Sequence, residues 1–231
     1  MKKLFFDIET LVAPEESYEA LRYLHERKVA KHSPESDKEP ITLEEFIDKT
    51  GLDGAYGRVI VIAYALDDEP VQYLCNPDNE KGVLEEFWNI ASGVDLFVGH
   101  NIRDFDLPFI MQRSIILGVK PSWSIYQEAG KKPWEMNKYL NFARYQNVPI
   151  FDTMWEWSRW VDKWSNKNLE HLALAMGIPT PKEGIDGSRV TEFFEKGKVK
   201  EICDYCVRDV ETTRAVYKRM IFETPPDKAP F

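Results

Sequence analysis

The segment Leu4-Phe5-Phe6-Asp7-Ile8-Glu9-Thr10 places the strongest constraint on the fold. Apolar residues occupy both odd and even positions, so an extended strand here is apolar on both faces, as strands covered on both sides are. Such a strand is central to a sheet with further layers packed on it, and an α/β structure is expected. The strand nevertheless ends on two acids. Side chains at i and i+2 share a face about 7 Å apart, so Asp7 and Glu9 point the same way. In a poorly solvated site two such carboxylates must share a proton or hold a cation, and hard oxygen ligands suit Mg²⁺ or Mn²⁺. The other reading is a solvated strand end.

The rest of the chain alternates strand and helix. Arg58 to Leu66 reads as a second buried strand and Pro70 to Cys75 as its hairpin partner across the turn Asp67-Asp68-Glu69. Asn79 to Ala91 has helical apolar spacing, and Asp95 to Val98 is a short apolar run before Gly99. Phe105 to Leu117 is expected to be a helix, with Asp104 as N-cap and Gly118 past its end, and Val148 to Phe151 is a last candidate strand. Helices are expected over Thr153 to Trp164, over Leu169 to Met176 with Asn168 before it, and over Lys198 to Met220. The polar segment Ala13 to Tyr56 contains helical patterns but no run that must be central sheet. It is taken as a helical insertion (13–56) within a single domain spanning 1–231, with Thr224 to Phe231 as a loose tail.

At 231 residues the chain can bury a core without disulfides or a structural metal. Its net charge of −9 argues against a broad basic face that grips duplex nucleic acid, though not against a local groove. The longest uncharged apolar stretch near the middle, Val59 to Leu66, is far shorter than the roughly 20 residues that span a bilayer. No membrane segment is expected. The three cysteines, an odd number in a chain that needs no stapling, favour a reducing compartment, and the cytoplasm is the expected location.

Two further acids stand out. Ile202, Cys206, Val210, Thr213, Val216, Tyr217 and Met220 form an apolar stripe at helical spacing. At 100° per residue from Ile202, Asp209 falls at about 340°, between Val216 at about 320° and Thr213 at about 20°. An acid there faces inward, where it must pair, protonate or bind metal. Tyr205, one turn earlier, lies beside it. In Gly99-His100-Asn101-Ile102-Arg103-Asp104-Phe105-Asp106 a short strand turns into a helix. Asp106 in that first turn is favoured by the helix macrodipole whether or not it has any other role.

Taken together, Asp7-x-Glu9, Asn101-x-x-x-Phe105-Asp106 and Tyr205-x-x-x-Asp209, in that order, resemble the DEDD superfamily of 3'-5' exonucleases in its tyrosine form. Within that branch the chain is similar to the stand-alone predicted exonucleases related to the proofreading domain of B-family DNA polymerases. Supporting stretches are Tyr56-Gly57-Arg58-Val59-Ile60, Asn168-Leu169-Glu170-His171-Leu172-Ala173, Asp186-Gly187-Ser188 and Glu201-Ile202-Cys203-Asp204-Tyr205-Cys206. The resemblance implies a ribonuclease H-like fold, a mixed five-stranded sheet flanked by helices. It implies two divalent cations, Mg²⁺ or Mn²⁺, held by Asp7, Glu9 and Asp209, with Asp7 touching both ions and Asp106 acting mostly through water. Tyr205 would orient the attacking water. Thr10, Asn101 and Phe105 match neighbours that shape the pocket for the 3' end. The implied activity is hydrolysis of a single-stranded 3' end of DNA or RNA, releasing nucleoside 5'-monophosphates. An RNA-processing exoribonuclease, or a catalytically weak nucleic-acid-binding module of the same fold, are the alternatives.

Other signals are given less weight. Trp157, Trp160 and Trp164, with Met154 and Val161, make one helical face that reads as core, whereas Trp155 points elsewhere and is a candidate for base stacking. Cys203-x-x-Cys206 has redox-motif spacing but lies inside a helix and lacks a second pair for zinc. His100 and His171 have no partner at telling spacing. The lysines at 196, 198 and 200 read as a solvated helix start.

Overall fold

A computed structural model describes residues 1–31, 39–124, 138, 140, 149–159, 168–180, 185 and 187–224. The two-faced apolar strand is β1 (Lys3–Leu11). After it come a 3₁₀ turn at Glu15–Ser17, α1 (Tyr18–Ala30), α2 (Leu43–Asp48) and a second 3₁₀ turn at Lys49–Leu52. Then follow β2 (Arg58–Leu66), β3 (Gln72–Cys75), α3 (Glu80–Ala91), β4 (Leu96–Gly99), α4 (Asp106–Leu117) and β5 (Ile150–Asp152). The chain continues through α5 (Thr153–Ser158), α6 (Leu169–Ala175), α7 (Val190–Glu195) and α8 (Val199–Met220).

The sheet has five strands in the order β3-β2-β1-β4-β5, so β1 is in the middle as its two apolar faces require. β1 runs antiparallel to β2 and parallel to β4; β3 and β5 extend the two sides antiparallel and parallel respectively. The result is a mixed five-stranded sheet flanked by helices, an α/β fold of the ribonuclease H-like kind. Leu4, Phe6 and Ile8 face one way, into a cluster with Leu84 and Phe87 of α3 and Leu107, Phe109 and Ile110 of α4. Phe5 and Leu11 face the other way with Val61 and Ala63, against Ile202, Cys206, Val210 and Tyr217 of α8. Alternation along β1 therefore delivers Asp7 and Glu9 to the α8 side. The pairing of β1 with β2 shifts between Glu9 and Thr10, where Glu9 opposes Val61 but Thr10 opposes Val59. The extra residue, Ile60, makes a bulge in β2 beside the acids.

The helix signals act where the sequence places them. Asn79 caps α3 by accepting from the Gly82 N–H, and Asn168 caps α6 by accepting from the His171 N–H. Gly118, just past α4, takes the left-handed conformation at φ 66. Arg113 of α4 forks onto Glu80 of α3 at 2.9 and 2.8 Å, and Glu80 also accepts from the Val59 N–H at 2.8 Å, which ties both helices to β2. Among the described residues no helix is long and apolar enough to cross a membrane.

Two expectations need correction. Asp104 does not cap α4: the N-cap position is Phe105, with no side-chain bond, and the Asp104 carboxylate instead accepts from the Trp155 indole N–H at 2.7 Å. Trp157 is not core, being 40% exposed; α5 is described only to Ser158, and Trp160, Val161 and Trp164 lie outside the described residues. The short helix α7 was not anticipated from the sequence, because one buried residue, Val190, is too little to make a period. The last strand begins at Ile150, and Val148, the tail 225–231 and Asp186 lie outside the described residues.

Candidate active site

β1, α4 and α8 bring the expected carboxylates to one place. Glu9 is buried and Asp7 partly so, side by side on the α8 face of the sheet. β1 pairs with β4 only over Lys3 to Phe5, so beyond that point its β4 side has no strand partner among the described residues. Asp106, the first residue of α4 and 2% exposed, fills the place of the missing strand: its Oδ1 accepts from the Ile8 N–H at 3.0 Å, between the two acids of β1. From the opposite layer, Asp209 of α8 faces the same spot and accepts from the Tyr205 hydroxyl one turn earlier.

Electrostatics mark these side chains as one group. Burial, and then the charges of Asp106, Asp209 and Glu9, push Asp7 well above the usual carboxylate range. Glu9 is raised by burial and by Asp209 and Asp106. Burial raises Asp106 to about 8, against the bonds it accepts from backbone N–H groups, and raises Asp209 to about 6. Among the described residues the one cationic side chain that offsets any of these shifts is Arg208, beside Asp209. Four acids collected with so little positive charge fit a divalent cation, which would supply what the protein leaves out. Tyr205 is pushed up by burial and by Asp209, Glu9 and Asp7, so its hydroxyl keeps its proton at neutral pH.

Two neighbours of this cluster were not foreseen. Cys206 lies on the inward stripe of α8 with its Sγ 3.5 Å from Asp7 Oδ2, and one ligand atom each of Asp7, Glu9 and Cys206 lie within 4.8 Å of one another. The clue was its place, with Asp209, on the buried face; its CxxC spacing pointed elsewhere. Asp152, the last residue of β5, is wholly buried. Its Oδ1 accepts from the N–H groups of Asn101 at 3.0 Å, Met154 at 3.0 Å and Trp155 at 3.2 Å, and its Oδ2 from that of Arg103 at 2.9 Å. One carboxylate thus caps α5 and holds the loop that leads into Asp106, and burial raises it to about 6. Its position directly after a strand and before a helix signals the cap. Its reach to the 101–103 loop is visible only in three dimensions.

The remaining expected residues border the cluster. The Thr10 hydroxyl donates to the Gly51 carbonyl at 2.6 Å. Asn101 adopts a left-handed φ of 64, one of the few residue types that does so at small cost, in the turn that Asp152 clamps. Phe105 packs its ring on Phe109 at 5.6 Å between centroids. His100, set aside on sequence, has Nδ1 2.9 Å from the Thr153 hydroxyl, a second tie between this loop and α5. Trp155 makes a third, through Asp104 and through Arg103, whose guanidinium lies 5.7 Å from the indole ring.

Comparison with solved structures finds the family B DNA polymerase of the hyperthermophilic archaeon Pyrobaculum calidifontis, at TM-score 0.58 and 17% identity. The likeness covers 96% of this chain but 25% of the polymerase, so the chain spans about a quarter of that protein's length and shares its fold there. No curated protein matches the chain. A family model described as a predicted 3'-5' exonuclease related to the exonuclease domain of PolB matches residues 52–224, a span that includes Asp106, Tyr205 and Asp209 and begins after Asp7 and Glu9. The match takes in more than half of the chain, which therefore belongs to this family of predicted 3'-5' exonucleases.

Proposed function

We propose that the protein is a metal-dependent 3'-5' exonuclease that shortens single-stranded 3' ends of DNA or RNA, with Asp7, Glu9, Asp106, Tyr205 and Asp209 as its catalytic residues. The observation behind this reading is the meeting of four carboxylates with almost no compensating positive side chain among the described residues. Asp7, Glu9 and Asp209 would hold one Mg²⁺ or Mn²⁺, Asp7 would reach a second, and Asp106, whose Oδ1 is engaged by the Ile8 N–H, would act through water. Bound there, two such cations would lower the pKa of water and offset the charge that builds on the phosphate.

The chain's own groups then have separate tasks. Tyr205 stays protonated and is held by Asp209, so it serves as a fixed hydrogen-bonding partner that orients water and not as a base. Asp106 keeps the end of β1 and the start of α4 in contact, which sets the spacing between Asp7 and Glu9 and the other two acids. Thr10, Asn101 and Phe105 would line the pocket for the terminal nucleotide. Water adds to the last phosphorus, and the bond to the 3' oxygen of the preceding nucleotide breaks. A nucleoside 5'-monophosphate leaves, and the shortened strand keeps a 3' hydroxyl. An overall charge of −9 is compatible with this, since a frayed single-stranded end needs few phosphate contacts. We also read residues 1–231 as one exonuclease domain with 13–56 as an insertion, and we place its action in the cytoplasm on its three unpaired thiols.

The test incubates the purified protein with 3'-labelled and 5'-labelled DNA and RNA in Mg²⁺, in Mn²⁺ and in chelator. Stepwise loss from the 3' end that chelator abolishes, and that Asp7→Ala and Asp209→Ala remove, is the expected result. Preference for one sugar assigns the substrate; binding without cleavage identifies the catalytically weak module. Undiminished activity of Asp209→Ala would show that α8 does not belong to the site.

A further inference from the structure

The cysteine pair that interacts is not the one the CxxC spacing suggests. Cys206 is turned toward Asp7, with Sγ 3.4 Å from its carbonyl oxygen. Cys203, one turn earlier on α8 and 2% exposed, belongs to the cluster that packs α8 on the sheet. Cys75, the last residue of β3, packs against that same cluster, and its cross-strand partner Val61 is a member of it. The Cys75 and Cys203 thiols lie close enough for each to perturb the ionisation of the other. These sulfurs join the outer strand of the sheet to the helix that bears Tyr205 and Asp209.

We infer that Cys75 and Cys203 form a reversible disulfide, a modification site that staples β3 to α8. Cys75 is only partly buried and so can be reached by a small oxidant, whereas Cys203 cannot. The neighbouring Cys203 thiol also holds the Cys75 thiol below its ordinary range, which raises its thiolate fraction. The oxidant is a low-molecular-weight disulfide. The Cys75 thiolate attacks one of its sulfurs, the S–S bond breaks, and one thiol leaves with a proton from water. Cys203 then gives up its proton and attacks Cys75 Sγ, which expels the second thiol. Two protein thiols are oxidised and one small disulfide is reduced to two thiols. The second step is the slower, because the neighbouring Cys75 sulfur and then burial keep Cys203 protonated. In a reducing compartment the bond is transient, which suits a response to oxidation better than a permanent staple.

The experiment treats the whole chain with oxidised glutathione and counts free thiols after denaturation. Wild type should fall from three thiols to one, with peptide mapping that joins Cys75 to Cys203 and a higher melting temperature that reductant reverses. Cys206→Ser should still lose both of its remaining thiols. Cys75→Ser and Cys203→Ser should form no intramolecular bond and show no rise in melting temperature. Three thiols remaining in wild type, stable glutathione on Cys75, or a bond mapped to Cys206 would each overturn the inference.

Discussion

Asp106→Asn should make the metal-free protein more stable at neutral pH, although it removes a side chain from the centre of the molecule. Asp106 is 2% exposed and its carboxyl is raised from 3.8 to about 8. A carboxyl raised on folding contributes stability at pH below its unfolded value, and that contribution is lost as pH climbs toward the folded one. At 1.36 kcal/mol per unit, the charge-related cost of folding is about 1–2 kcal/mol at pH 5 and about 4 kcal/mol at pH 7. Asparagine carries no charge to desolvate and still offers an oxygen to the Ile8 N–H, now bonded at 3.0 Å. It also removes one of the charges that raise Asp7 and Glu9. Urea unfolding of both proteins in chelator at pH 5 and pH 7 measures the difference. The variant's advantage should be of this order and should grow with pH. With excess Mg²⁺ the order should reverse, since only the wild-type site is complete and ligand binding stabilises the folded state. A variant less stable than wild type at pH 7 in chelator, or an advantage that shrinks as pH rises, would refute the claim that this carboxylate is held at a cost.

Three other outcomes follow from particular contacts. Asp152→Asn must set an amide N–H₂ against a backbone N–H, the Arg103 N–H if the amide nitrogen takes the Oδ2 place, so it should cost about 1–3 kcal/mol in denaturant unfolding and loosen hydrogen exchange at Asn101 and Arg103. Arg113→Ala leaves the largely buried Glu80 carboxylate without its forked partner, and urea titration should show a loss of about 3–5 kcal/mol that Arg113→Lys restores only in part. Tyr205→Phe should retain cation binding by calorimetry yet lower turnover by about 100-fold, since it deletes the one hydroxyl held by Asp209.

The course of β1 was legible from its residues alone: only a central strand is apolar on both faces, and the acids at its end share the face that period-two alternation assigns them. The inward turn of Asp209 was legible for the same kind of reason, from a helical stripe long enough to define an angle. Where the periodic run was short, reading failed. α7 offers one buried residue, and Trp157 sat on a helical pattern whose first turn and a half does not bury it. Asp104 is well placed in sequence to cap α4, but the Trp155 indole takes its carboxylate, a partner 51 residues away that no local rule anticipates.

Local geometry is written into each segment of the chain: which faces are apolar, which residues cap helices, and where acids interrupt apolar patterns. These follow from backbone periods that each segment expresses alone. Which of these interruptions meet depends on how the layers pack. The early end of the β1 and β4 pairing opens the Ile8 N–H to Asp106, the packing of α8 on the sheet brings Asp209 and Cys206 over the β1 acids, and β5 sets Asp152 under the loop of Asn101. Distances between segments depend on how layers pack, and packing is a property of the whole core.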